Sequence, residues 1–276
     1  MSSPSQRNPL FINTILLGGT PTEKIAAASA AGFDQIEILT HDVDGYDGSP
    51  EDLGQLLQEL GVGLTDYQVL REFDGAPDNL RENKHAEALS MLNVASRIGA
   101  DTVLVTASSD PACIAANIDD DLRWLAGEAA TRGLRIAYEG LAWSTVNFTL
   151  NAAWNCVQRL NIANLGLVVD PFHLFVRGGT VRDLDNIPMD RIFILQLCDS
   201  DLDHCNDLQL VIDTARHRRL LPGQGWFPID TILERFKAGG YAGPVGIEVF
   251  NDVMRDRDPR LTARDAMSAL KRIWPQ

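Results

Sequence analysis

Short apolar runs recur along the whole chain. They are INTILL (12–17), FDQIEIL (33–39), VGLTDYQVL (62–70), DTVLVTA (101–107), LRIAYE (134–139), LGLVVD (165–170), RIFILQ (191–196) and GPVGIE (243–248). Their β-branched and aromatic content predicts buried strands. Between them lie segments with helical spacing of apolar positions. PTEKIAAASAAGF opens at Thr20-Pro21 and stops at Gly32, and SPEDLGQLLQELG runs from Ser49 to Gly61 with acidic residues in its first turn. Both follow the start and stop chemistry of helices. NKHAEALSMLNVASRIG, DDDLRWLAGEAATRG, TLNAAWNCVQRL, IDTILERFKAGG and LTARDAMSALKRIW read the same way. Strands alternating with helices and no break in composition predict one parallel α/β domain. No GxGxxG turn follows the first strand, where Gly18-Gly19 is too short to seat a dinucleotide. A closed (β/α)8 TIM barrel is therefore expected over residues 10–276, behind a flexible leader at residues 1–9.

The last four runs each end in an oxygen-bearing side chain: Glu139, Asp170, Gln196 and Glu248. A lone acid at a strand end is a helix cap or an ion-pair partner as readily as a ligand, and Asp170-Pro171 is a common turn opener. Four successive strands delivering such groups to the catalytic edge of a barrel form a pattern. It predicts an all-oxygen cage for a hard divalent cation. A buried Gln196 amide also needs partners, and a cation would satisfy its oxygen.

Around that edge lie further candidates. His173, in DPFHLF, reads as a satisfied loop histidine or as an acid/base beside the cage. His41 could serve the same face, whereas His85 falls in a helix and reads as solvated. Arg71 would pair with Glu72 or Asp74, or clamp a substrate carboxylate through its planar guanidinium. Arg216, in ARHRRLLPGQG, offers a second cationic contact, and the PGQG turn would bring backbone close to a ligand. Trp143 reads as a pocket wall.

Charge and composition narrow the class. With 38 acidic and 24 basic residues the net charge is −14, which disfavours nucleic acid and anionic lipid as partners. The basic cluster Arg216-His217-Arg218-Arg219 suits one small anionic ligand. Cys113, Cys156, Cys198 and Cys205 show no CxxC spacing and read as reduced thiols. No signal peptide is evident, and no run reaches the roughly 18–20 apolar residues that span a bilayer, so a cytoplasmic location with no membrane partner is expected. Monomer and homo-oligomer both remain open.

The order Glu139, Asp170, Gln196, Glu248 on successive strand ends resembles the xylose isomerase-like barrel superfamily of sugar isomerases, epimerases and dehydratases, over residues 10–274. The strings YDGSPEDL, LREFDG, LRIAYEGLAW, DPFHLF, LPGQGWF and IEVFND are most similar to those of the bacterial 3-dehydroshikimate dehydratases in that group. The resemblance implies that Glu139, Asp170, Gln196 and Glu248 bind Mg2+, Mn2+ or Co2+. It gives His173 and Glu139 catalytic roles, and makes Arg71 and Arg216 contacts to a substrate carboxylate. Three departures surround the substrate: Pro171 where a small hydroxyl residue is expected, Ala215 in place of a serine, and the acidic stretch Asp199-Ser200-Asp201. With the sequence running to Gln276, the dioxygenase-like C-terminal domain fused to some relatives is not expected. The expected substrate is small and anionic or sugar-like. A ketose isomerase or epimerase and an inosose dehydratase are the alternatives on the same cage. A multi-zinc nuclease would need more than five histidines and a basic surface.

Overall fold

The structure is a computed structural model that describes residues 7–202 and 204–275. The strands are β1 Leu10–Asn13, β2 Gln35–Leu39, β3 Gly63–Leu70, β4 Thr102–Thr106, β5 Arg135–Glu139, β6 Leu165–Val169, β7 Ile192–Leu197 and β8 Val245–Ile247. They pair in parallel in chain order and β8 closes on β1. The helices are α1 Pro21–Ala31, α2 Thr40–Asp44, α3 Pro50–Glu59, α4 Asp78–Ile98, α5 Ile118–Ala130, α6 Leu150–Leu160, α7 Pro171–Phe175, α8 Leu208–His217, α9 Ile229–Ala238, α10 Asp252–Arg255 and α11 Pro259–Ile273. The expected TIM barrel is the observed fold, and no helix among the described residues is long and apolar enough to cross a membrane.

Local chemistry explains most boundaries. Thr20 and Glu23 form a capping box at the start of α1, and Gly32 ends that helix at φ 86°. Ser49 and Asp52 cap α3 in the same way, and Thr149 caps α6 through Ala152 N. The first strand differs from expectation. It stops at Asn13 because the Asn13 side chain accepts a hydrogen bond from Ile15 N, which folds Thr14–Leu16 into a 3-10 turn. Helix α8 was also unmarked in the sequence; Asp207 starts it by accepting from Gln209 N and Leu210 N. Of the expected leader, residues 1–6 lie outside the described residues, while Asn8 and Pro9 are tied to the barrel. Asn8 Nδ2 donates to Tyr241 O and Gly243 O, and Val245 N donates to Pro9 O.

The barrel interior is built in layers. Phe11, Leu104, Ala137, Val168 and Ile194 fill its lower part as one apolar cluster. Gly246 lets Phe11 reach across, since a Cβ there would lie 2.3 Å from Phe11. Strand residues two apart share a face. One step up each strand therefore stand Asn13, Thr106, Glu139, Asp170, Gln196 and Glu248. The apolar plug thus supports a polar layer at the C-terminal edge.

Candidate metal centre and active site

Glu139, at the end of β5, and Asp170 and His173, at the start of α7, bring one potential ligand atom each within 4.8 Å of one another, and all three are buried. His173 Nε2 lies 3.6 Å from both Glu139 Oε1 and Asp170 Oδ2. Its Nδ1 accepts from Ala142 N at 3.2 Å, so the neutral ring carries its proton on Nε2. Burial lowers the His173 pKa to about 4, partly offset by Asp170, which keeps the ring neutral at physiological pH. Trp143 packs edge-to-face on this ring at 5.0 Å.

Gln196 and Glu248 form the other side of the polar layer. Gln196 Nε2 donates to Glu248 Oε1 at 3.0 Å and to Glu37 Oε1 at 2.9 Å. Two groups absent from the sequence-based site stand here. Glu37 on β2 is fully buried, and Arg219 bridges the cage: its Nη1 lies 2.7 Å from Asp170 Oδ2 and 3.1 Å from Glu248 Oε2. The Arg219 guanidinium is held between the rings of Phe172 and Phe250, with Nε bonded to Ala215 O. Burial pulls its pKa down, but Asp170, Cys198, Glu248 and Glu139 outweigh that and raise it.

The cage suits a cation. Glu139 Oε1 and Gln196 Oε1 are buried acceptors with no hydrogen-bond partner among the described residues. Glu139 is pushed well above the usual carboxylate range by burial and then by Glu248 and Asp170. Glu248 is raised to about 7 by burial, against the pull of Arg219. Acids this crowded and dry would ionise fully only with added positive charge, which a divalent ion supplies. The oxygen donors fit such an ion, and the protonated Nε2 of His173 stands beside them rather than among them.

Above the cage opens a cavity of about 350 Å³ lined by Arg71, Glu139, Trp143, His173, Arg216, Arg219 and Glu248, among others. Arg71 and Arg216 reach it from its exposed rim. Arg71 is left to the cavity because Glu72 is engaged elsewhere. The Glu72 carboxylate accepts from Ser108 Oγ, Ser109 N, Ser109 Oγ and Asp110 N. Asp74 likewise accepts from Tyr138 Oη and Ser108 N.

Other expectations need correction. The Arg216–Arg219 cluster does not act as one patch, because α8 ends at His217 and the chain turns. His217 pairs with Asp252 and Arg218 with Asp213, while Arg219 points into the cage. Within the PGQG turn Gly225 packs against backbone, where a Cβ would lie 2.2 Å from Ser200 O. His41 is exposed and outside the cavity lining. His85 is half-buried, not solvated, and stacks on Trp124 at 3.8 Å. The four cysteines, by contrast, are free thiols as expected.

The sequence matches the model of the xylose isomerase-like TIM barrel family over residues 25–273. The chain belongs to that family. The 3-dehydroshikimate dehydratases of Pseudomonas aeruginosa and Pseudomonas putida are similar to it at 38% identity over 265 residues and 34% over 261, each match covering 94% of this chain. The chain spans only 40% of the length of each of these relatives. An inosose isomerase of Halalkalibacterium halodurans matches at 32% identity over 50% of the chain and 46% of its own length. The structure superimposes with TM-score 0.90 and 34% identity on a xylose isomerase-like TIM barrel/4-hydroxyphenylpyruvate dioxygenase fusion protein, covering 96% of this chain and 42% of that one.

Proposed function

We propose that the protein is a divalent-metal-dependent dehydratase that converts 3-dehydroshikimate to protocatechuate. One observation carries the reading. Two arginines, Arg71 and Arg216, share a single cavity with Glu139 and His173, directly above a buried carboxylate cage. The 3-dehydroshikimate dehydratases of the two pseudomonads, similar over nearly the whole chain, point the same way. Glu139, Asp170, Gln196 and Glu248, with His173 beside them, are the residues that would hold Mg2+, Mn2+ or Co2+. When bound, the ion supplies a Lewis acid that polarises the C3 ketone of the substrate and acidifies the C4 proton.

The side chains then divide the work. Arg71 and Arg216 hold the carboxylate at the mouth and fix the ring's orientation. Glu139, which lines the cavity beside His173, accepts the C4 proton and returns it to the C5 hydroxyl, which leaves as water. His173, whose protonated Nε2 lies 3.6 Å from Glu139 Oε1, donates to the leaving oxygen. With Nδ1 committed to Ala142 N, its ring acts as a donor rather than the base. A proton shift from C6 to the C3 oxygen completes the aromatic ring. Trp143 walls the cavity against water. The reading places the enzyme in the cytoplasm.

Incubation with 3-dehydroshikimate and Mn2+ should produce the aromatic absorbance of protocatechuate. No band with any of the three metals would move the assignment to a sugar isomerase, epimerase or inosose dehydratase on the same cage. A neutral sugar substrate would leave the two arginines without a task, which is why the dehydratase reading is preferred.

A further inference from the structure

Below the metal centre, side chains from β1, β2 and β7 and from the residue that follows β8 form a closed hydrogen-bond ring. Asn13 Nδ2 donates to Glu37 Oε2 at 3.0 Å and to Glu248 Oε1 at 3.0 Å. Gln196 Nε2 donates to Glu37 Oε1 at 2.9 Å and to the same Glu248 Oε1 at 3.0 Å. Both hydrogens of both amides are spent within the ring. Asn13, Glu37 and Gln196 are each 0% exposed and Glu248 is 4% exposed.

The two ends of a glutamine amide are nearly the same size and shape, so packing alone does not decide which end faces a ligand. Hydrogen-bond partners decide it. Here two carboxylate oxygens hold Nε2, which leaves Oε1 as the end without a partner among the described residues. Glu248 sits in the cage itself, but Glu37 does not line the cavity and comes from β2, away from the strands that carry the cage. Asn13 holds the second oxygen of Glu37, so the carboxylate is fixed at both ends.

We propose that Glu37 is a positioning residue that orients the Gln196 amide, presenting its carbonyl oxygen to the cation of the metal centre. The inference rests on the metal-centre reading given above. Glu37 touches neither ion nor substrate; it acts through Gln196, in the way outer partners of metal ligands generally fix ligand orientation. In Glu37→Gln only one end of the new amide can accept, so Asn13 and Gln196 compete for it, and wherever its nitrogen faces Gln196 that amide loses its fixed orientation.

The test is a double-mutant cycle read by Co2+ binding to the purified protein, using calorimetry and the visible d–d absorption of the bound ion. Glu37→Gln should weaken Co2+ binding about tenfold to a hundredfold and alter the d–d band. In a Gln196→Met background, where no carbonyl oxygen remains to be oriented, the same substitution should have no effect. Equal losses in both backgrounds, or no loss in the wild-type background, would overturn the proposal. Glu37→Met, which removes the acceptor without adding a donor, follows the same cycle should Glu37→Gln not fold. Wild-type protein that binds no Co2+ would refute the metal centre itself, and the role of Glu37 with it. Wild-type binding with no change in Glu37→Gln refutes only the latter.

Discussion

Arg219 Nη1 lies 2.7 Å from Asp170 Oδ2, with 3% and 0% of the two side chains exposed. The guanidinium is the positive charge inside a cage of acids. Removing one partner of a buried ion pair leaves the other charge uncompensated, which typically costs about 3–5 kcal/mol. Arg219→Met should destabilise the metal-free protein by that amount in chemical denaturation. Mn2+ should restore part of the loss, because the ion replaces the missing charge beside Asp170 and Glu248. A cost below about 1 kcal/mol, the range of exposed pairs, would show that the bridge does not hold in solution.

Metal removal gives a second test. A ligand that binds only the folded state adds about 2.7 kcal/mol when present at a hundredfold excess over its Kd. Protein dialysed against EDTA should therefore melt at a lower temperature than protein with Mn2+ or Mg2+ restored. Superimposable melts, with no ion retained, would mean that the acids are structural only.

Arg71 separates the substrate classes. A charge-assisted hydrogen bond to a carboxylate is worth about 1.5–3 kcal/mol, or about tenfold to a hundredfold in binding. Arg71→Ala should raise the KM for 3-dehydroshikimate by that factor and change kcat little. A neutral ketose or inosose would show no such effect.

Asp74 lies away from the cage and reports on the fold. Burial raises its pKa to about 6, opposed by hydrogen bonds from Tyr138 and Ser108. Between its ordinary value of 3.8 and about 6, the folded protein binds a proton that the unfolded chain has released. Stability from this group is thus present at low pH and lost as pH rises through about 6. Relative to Asp74→Asn, the wild type should lose about 2 kcal/mol between about pH 4 and about pH 7 in paired urea titrations. A flat difference would show that Asp74 ionises freely.

The cage was legible from strand ends because the pleat has a period of two. Ala137, Val168 and Ile194 point inward, so Glu139, Asp170 and Gln196 must do so as well. Arg71 could be picked out because it follows the last residue of β3. Arg219 could not: it is the last of a basic cluster, and linear spacing does not show which member turns inward once α8 ends at His217. Glu37 was hidden for a related reason. It sits inside an apolar run rather than at its end, where its carboxylate could not be told from an ordinary strand residue.

The sequence by itself determined the barrel, the layer of oxygen groups at its C-terminal edge and most of the helix boundaries, because these follow from local periodicity and capping. Only the tertiary structure decided how those groups are joined. Closure of β8 on β1 brings Asn13 beside Glu248, and the barrel's width lets Glu37 reach Gln196 across 159 residues of chain. Such pairings depend on distances through the interior, which the order of residues along a strand does not encode.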